Sequence, residues 1–205
     1  MKLIVGLGNP GEKHESTRHN LGFIIIDHLL KDIESVRDGK WEENVKFKGE
    51  IFSLEYKPKK GEIEKVILLK PKTYMNNSGM AVSLVASFYK VNPQDIWIIH
   101  DELDLPLGFM KIRLGGGAAG HHGVESVMTA LNTDKFWRFR IGIGASKNRD
   151  EIAKHNFKNA KDFVLDIFRT GESGTVKHII KRAVEALKLS LEKDINSAMN
   201  RFNTK

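Results

Sequence analysis

The sequence predicts an α/β layered domain built on a mixed sheet, and three observations carry that prediction. Short apolar runs such as Lys2 to Val5 and Ile96 to Ile99 are bounded by glycine or polar residues, the pattern of buried strands. They alternate with segments whose apolar residues recur at three- and four-residue spacing, the pattern of helices packed on a sheet. Some strands, such as Phe47 to Tyr56 and Val66 to Leu69, follow one another with no helix between them, so the sheet is mixed. No internal repeat and no long Pro/Ser-rich linker divides the 205 residues, and one domain spanning 1–205 is expected.

Taken in order, the strand Lys2 to Val5 leads into Gly6, Gly8 and Gly11, which fit the G-x-G-x-x-G spacing of a dinucleotide site. The context fails that reading. A polar stretch from Glu12 to His19 follows, where a dinucleotide site needs an apolar helix holding the pyrophosphate. A sharp turn and a polar loop carrying Asn9 and His19 are expected instead. Leu21 to Val36 is a helix with Ile25, Ile26, Leu29, Leu30, Ile33 and Val36 on its stripe, and Asn20 is a candidate cap. Phe47 to Tyr56 and Val66 to Leu69 are strands around the turn Lys57-Pro-Lys-Lys-Gly-Glu62.

Met80 to Lys90 is a second helix, ending before Asn92-Pro93. Ile96 to Ile99 is a central strand whose carboxyl end delivers His100, Asp101 and Glu102, where ligand sites of open α/β sheets gather. Phe109 to Leu114 alternates, with Lys111 and Arg113 on one face, and Gly115 to Gly117 breaks it. Val124 to Leu131 is helical. Trp137 to Ile143 is a strand alternating Arg138 and Arg140 with apolar residues. A polar loop from Ser146 to Asn156 precedes a short helix carrying Phe163, Val164, Ile167 and Phe168. The last helix, from about Thr175, carries the strongest stripe, from Val176 to Leu191.

Composition narrows the function classes. Apolar residues make up 40% and charged residues 29%, ordinary for a globular protein, and no apolar run reaches the roughly 20 residues of a membrane span. With no cysteine there is no disulfide framework and no thiolate zinc site. No signal pattern opens the chain, which points to the cytoplasm. A formal charge of +7 favours a polyanion, because neutralising phosphates releases counterions. Charge alone leaves a polyanionic partner and mere solubility about even, with an acidic protein or an anionic membrane as further alternatives.

Several motifs, read together, carry a resemblance. Val5-Gly-Leu-Gly-Asn-Pro-Gly11 followed by Thr17-Arg-His-Asn20, then Thr73-Tyr-Met-Asn-Asn-Ser-Gly79, His100-Asp-Glu-Leu-Asp-Leu-Pro106, Leu114-Gly-Gly-Gly117 and Arg138-Phe-Arg-Ile-Gly-Ile-Gly144 resemble, in the same order, the bacterial-type peptidyl-tRNA hydrolases. The resemblance implies a single three-layer αβα domain around a twisted mixed sheet. It also implies hydrolysis, without metal or other cofactor, of the ester joining a peptide to the 3′ end of tRNA, by a monomer with no membrane partner. It assigns His19 as general base and Asp101 as its orienter. Asn9 and Asn76 would grip the peptide, with Tyr74 and Met75 in the same pocket.

The same likeness places a clamp for the tRNA 5′-phosphate at Arg113 and Arg140, with Lys111 beside them. The chemistry is coherent, since neutral imidazole takes a proton from water while a carboxylate on its other nitrogen fixes the tautomer. The loop Gly115-Gly-Gly-Ala-Ala-Gly-His-His-Gly123 departs from the family. Ala118 and Ala119 stand where glycines are usual, and His122 stands where an asparagine helps to place water. Neutral imidazole offers the donor and acceptor that an amide does, so His122 is a candidate replacement. Two other readings compete: a metallohydrolase using His100, Asp101, His121 and His122, and a tRNA-binding module without catalysis. No H-E-x-x-H, G-x-S-x-G or P-loop ending is present to support other hydrolytic chemistries.

Overall fold

Alternation along the strands divides the apolar residues between two cores, one on each face of a single mixed sheet. The structure, a computed structural model, describes residues 1–33, 40–144 and 160–203. Its strands are β1 (Lys2–Gly6), β2 (Glu42–Asn44), β3 (Gly49–Tyr56), β4 (Glu64–Pro71), β5 (Ile96–Pro106), β6 (Met110–Leu114) and β7 (Trp137–Gly144). They lie in the order β2-β3-β4-β1-β5-β7-β6. The middle four, β4, β1, β5 and β7, are parallel, while β2, β3 and β6 pair antiparallel at the edges.

Helices cover both faces. On one side α1 (Leu21–Ile33), α4 (Ala160–Leu165), α5 (Ser173–Glu192) and α6 (Ile195–Phe202) pack over Ile4, Leu68, Ile99, Ile112 and Phe139. On the other, α2 (Ser78–Tyr89) and α3 (His122–Leu131) pack over Leu3, Val5, Ile67 and Ile98. Period-two strands sandwiched between helices bury residues on both faces, as expected of a parallel sheet centre. No helix of the described residues is long and apolar enough to cross a membrane.

Several local expectations change. Gly6, the last residue of β1, serves packing: a Cβ there would strike the backbone and side chains of α1 at Gly22 and Ile26, so β1 and α1 meet backbone to backbone. Asn20 does not cap α1; its amide holds the backbone of Asn9 instead. α1 is described to Ile33, and Val36 and the loop from Ser146 to Asn156 lie outside the described residues. β5 does not stop at Ile99 but runs on to Pro106, because beyond the end of β1 it keeps pairing with β7 through a register shift. The helix expected through Phe168 ends at Leu165, leaving Ile167 exposed and Phe168 stacked on Arg18. The strand β2 and the helix α6 were not expected.

Candidate active site

The site forms where β1 has ended and β5 continues. β1 pairs with β5 as far as Gly6 opposite Ile99, so Asp101 emerges just beyond the shared edge. The chain leaving β1 turns through residues 7–17 and returns in a single 3-10 turn, Arg18–Asn20, which presents His19. Two amide bonds hold the returning turn to the outgoing one: Asn9 N–H donates to Asn20 Oδ1 at 2.8 Å, and Asn20 Nδ2 donates to Asn9 O at 2.9 Å. The geometry brings His19 to Asp101, with Nδ1 3.0 Å from each carboxylate oxygen.

A second imidazole shares that carboxylate. His121 Nε2 lies 2.9 Å from Asp101 Oδ1, and its ring centroid is 4.9 Å from that of His19. His121 Nδ1 meanwhile accepts from the N–H groups of Gly123 (3.1 Å) and Val124 (3.3 Å), capping α3. A lone pair engaged by two amides cannot carry the proton, so His121 is the Nε2–H tautomer and donates to Asp101. A carboxylate accepts only, so His19 likewise donates from Nδ1, which leaves its Nε2 lone pair without a partner among the described residues. Burial would raise the Asp101 carboxyl, but the fields of His121 and His19 and their hydrogen bonds outweigh it and hold it well below the ordinary carboxylate range.

His100 lies beneath this group, fully buried, donating Nδ1–H to its neighbour's carbonyl, Asp101 O, at 2.6 Å. Its ring meets that of His121 edge-on at 4.8 Å. Burial, then the adjacent His121, push it well below the ordinary histidine range, so it stays neutral. His19, Asp101 and His121 bring three potential ligand atoms within 4.8 Å of one another. The wiring speaks against a metal there: an ion would need the Nε2 of His121 bare while its Nδ1 caps a helix, and would take the nitrogen of His19 that faces Asp101.

The amides line the same end of the sheet. Asn9, at 7% exposure, accepts from Met75 N–H at Oδ1 (2.9 Å), and its NH2 makes no hydrogen bond with another described residue. Met75 is buried, its sulfur against the backbone of Gly123, and so forms a wall between α2 and α3. Tyr74 and Asn76 flank it on the surface, Tyr74 57% exposed. Neither Asn77 nor Ser78 caps α2; Gly79 N–H donates to Ser126 Oγ at 2.9 Å.

His122 does not occupy the expected place. Its side chain is 75% exposed and its Nδ1 sits 3.0 Å from Glu125 one turn along α3. The reason is positional: His121 is the cap and turns inward, while His122 begins the helix and turns outward. The glycine loop before it also differs from an anion cradle. Gly115 and Gly116 spend their N–H groups on Phe136 O and Asp134 Oδ2, and Arg138 binds the carbonyls of Gly115 and Gly117. Ala119, where glycine is usual, adopts a left-handed φ of 52°.

The basic residues gather on one face of β6 and β7. Lys111 stands opposite Arg140 and Arg113 opposite Arg138, while Met110 and Ile112 face the core under α5 and α6. Lys111 and Arg113 are exposed and without an ion-pair partner among the described residues. Arg140 is tied through Nε to Glu102 at 2.9 Å, and Arg138 is buried. Like charges directly across a ladder repel, so this face favours an anion. The expectations missed the anchoring of Arg18, the burial of Arg138 and the inward role of His121; only the last had a signal, a histidine immediately before an apolar helix.

Known proteins similar to this chain share one description. A family model described as peptidyl-tRNA hydrolase matches residues 3–205. The peptidyl-tRNA hydrolase of Aquifex aeolicus is 42% identical over 203 residues, 99% of this chain and 96% of that protein. That of Bacillus cereus is 40% identical over 207 residues, with both chains fully covered. The crystal structure of peptidyl-tRNA hydrolase from Acinetobacter baumannii superposes with a TM-score of 0.81 at 32% identity, covering 100% of this chain and 95% of that one.

Proposed function

The chain belongs to the peptidyl-tRNA hydrolase family and hydrolyses peptidyl-tRNA, and we propose that it does so by metal-free general-base attack of water. The observation that carries the mechanism is the wiring of His19: Nδ1–H is given to Asp101, so Nε2 is the free base. Water bound at Nε2 gives up a proton as its oxygen attacks the ester carbonyl. The tetrahedral intermediate then expels the 3′ oxygen of tRNA, which takes the proton back from the imidazolium. Asp101 stabilises that imidazolium and keeps its ring oriented, and His121 holds the carboxylate in turn.

Asn9, whose Oδ1 is spent on Met75 N–H, offers its NH2 to a peptide carbonyl. Asn76 offers both ends of its amide from the surface, with Tyr74 and Met75 beside it. Arg113 and Arg140, with Lys111, take the terminal phosphate of tRNA, the Nη edge of Arg140 remaining available while Nε is held by Glu102. His122, directed outward and paired with Glu125, takes no part in placing the water in this reading. A monomer acting in the cytoplasm is the setting this reading implies. The test is turnover of an N-blocked aminoacyl-tRNA with and without EDTA: undiminished hydrolysis in chelator supports the reading, and loss that a stoichiometric metal restores contradicts it.

A further inference from the structure

The residue beside the base is a buried cation held on several sides. Arg18 is 1% exposed, although it sits in the same 3-10 turn as His19. Its guanidinium lies 4.6 Å from the ring of Phe163 and 5.1 Å from that of Phe168. Nη2 donates to Glu172 Oε2 at 2.7 Å, Nη1 donates to Ile167 O, and the Asp166 carboxylate is 3.7 Å away. The backbone joins in: Arg18 N–H donates to Asp166 O at 3.0 Å, and Thr17 forms a β-bridge with Ile167. Glu172 is itself positioned by accepting from Arg169 N–H at 2.6 Å.

A buried cation is costly unless it is paired, and a planar fork accepts few placements of its partners. Arg18 therefore has essentially one position relative to residues 163–172. Asn20, on the other side of His19, is fixed to Asn9. The base is thus suspended between two anchors, and its ring meets a carboxylate held by a third group, His121. Stability alone would not require a charged residue here, since an apolar side chain would fill a site between two phenyl rings.

We propose that Arg18 is a positioning residue for His19, and that docking of the segment 163–172 on Arg18 sets the imidazole at its working distance from Asp101. The proposal rests on His19 being the general base. Arg18→Lys keeps the charge but replaces the planar fork, which reaches Glu172 and the Ile167 carbonyl through separate nitrogens, with a single ammonium, and Glu172→Gln keeps a neutral hydrogen bond. Both are measured on an N-blocked aminoacyl-tRNA, in the wild-type and the His19→Ala backgrounds. In the wild-type background Arg18→Lys should lower kcat roughly 10- to 100-fold, the scale of an ångström of misplacement, with KM almost unchanged.

Glu172→Gln should lower kcat in the same direction by less. In the His19→Ala background neither substitution should slow the residual hydrolysis further, because groups acting as a unit are non-additive. Equal losses in both backgrounds, or unchanged kcat in the wild-type background, overturn the proposal and leave Arg18 as a packing residue. If Arg18→Lys fails to fold, Glu172→Gln alone gives the same decision. Wild-type turnover by His19→Ala would instead remove the base assignment on which the proposal stands.

Discussion

His121 makes two separable contributions, and substituting it two ways measures each. Its Nδ1 accepts from Gly123 and Val124 N–H groups, and its Nε2–H donates to Asp101. Asparagine is a good helix cap but too short to reach the carboxylate, so His121→Asn should lose the Asp101 bond only. A hydrogen bond to a charged group is worth about 1.5–3 kcal/mol. His121→Ala loses the cap as well, adding about 1 kcal/mol. For a chain of this size each kcal/mol shifts the melting temperature by roughly 2–4 °C, so about 3–12 °C is expected for asparagine and a few degrees more for alanine. Urea or thermal unfolding at one fixed pH compares the three proteins. Turnover should fall in both variants, because Asp101 loses the donor that fixes it against His19. Equal destabilisation by asparagine and alanine would show that the cap contributes nothing. Stability and turnover both within error of wild type would show that the bond to Asp101 is not made.

Salt dependence tests the basic face. Arg113→Ala and Arg140→Ala should each raise KM more than they lower kcat, and each should flatten the log–log salt slope by roughly 0.7–0.9 between 50 and 200 mM salt; slopes unchanged in both would place the phosphate elsewhere. Acid stability tests His100, which burial and His121 hold well below the ordinary histidine range. Below about pH 6.5 the unfolded chain binds a proton that the folded one refuses, so stability falls with pH by up to about 1.4 kcal/mol per unit. His100→Asn, neutral throughout and still able to donate to the Asp101 carbonyl, should remove that slope between about pH 6.5 and 4.5; an identical slope in both proteins refutes the assignment.

Much of the architecture was legible because it is local. Period-two runs such as Phe139 to Ile143 and three–four stripes such as Ile179 to Leu187 report burial directly, and the core under α1 and α5 is made of such residues. What was not legible depends on partners far along the chain. The second half of β5, from Glu102, is polar enough to read as a loop and is a strand only because β7 continues beside it. Phe168 reads as helical, yet it serves as a lid on Arg18, 150 residues away in sequence. His121 and His122 are indistinguishable by type; which one turns inward was decided by where α3 begins, a boundary that sequence patterns place only within a few residues. His19 and Asp101 were assigned through a resemblance, and no spacing in the chain could have predicted that a turn after β1 and a position on β5 would meet at 3.0 Å.

The central claim, that the free Nε2 of His19 takes the proton of the attacking water, is tested most directly by single-turnover hydrolysis with His19→Ala in excess over an N-blocked aminoacyl-tRNA. Excess enzyme separates the chemical step from product release, and binding of the same tRNA is measured alongside. The predicted result is a rate constant lower by about 10²–10⁴-fold, the usual contribution of a general base, with tRNA affinity nearly unchanged. A rate constant close to that of the wild type would contradict the claim.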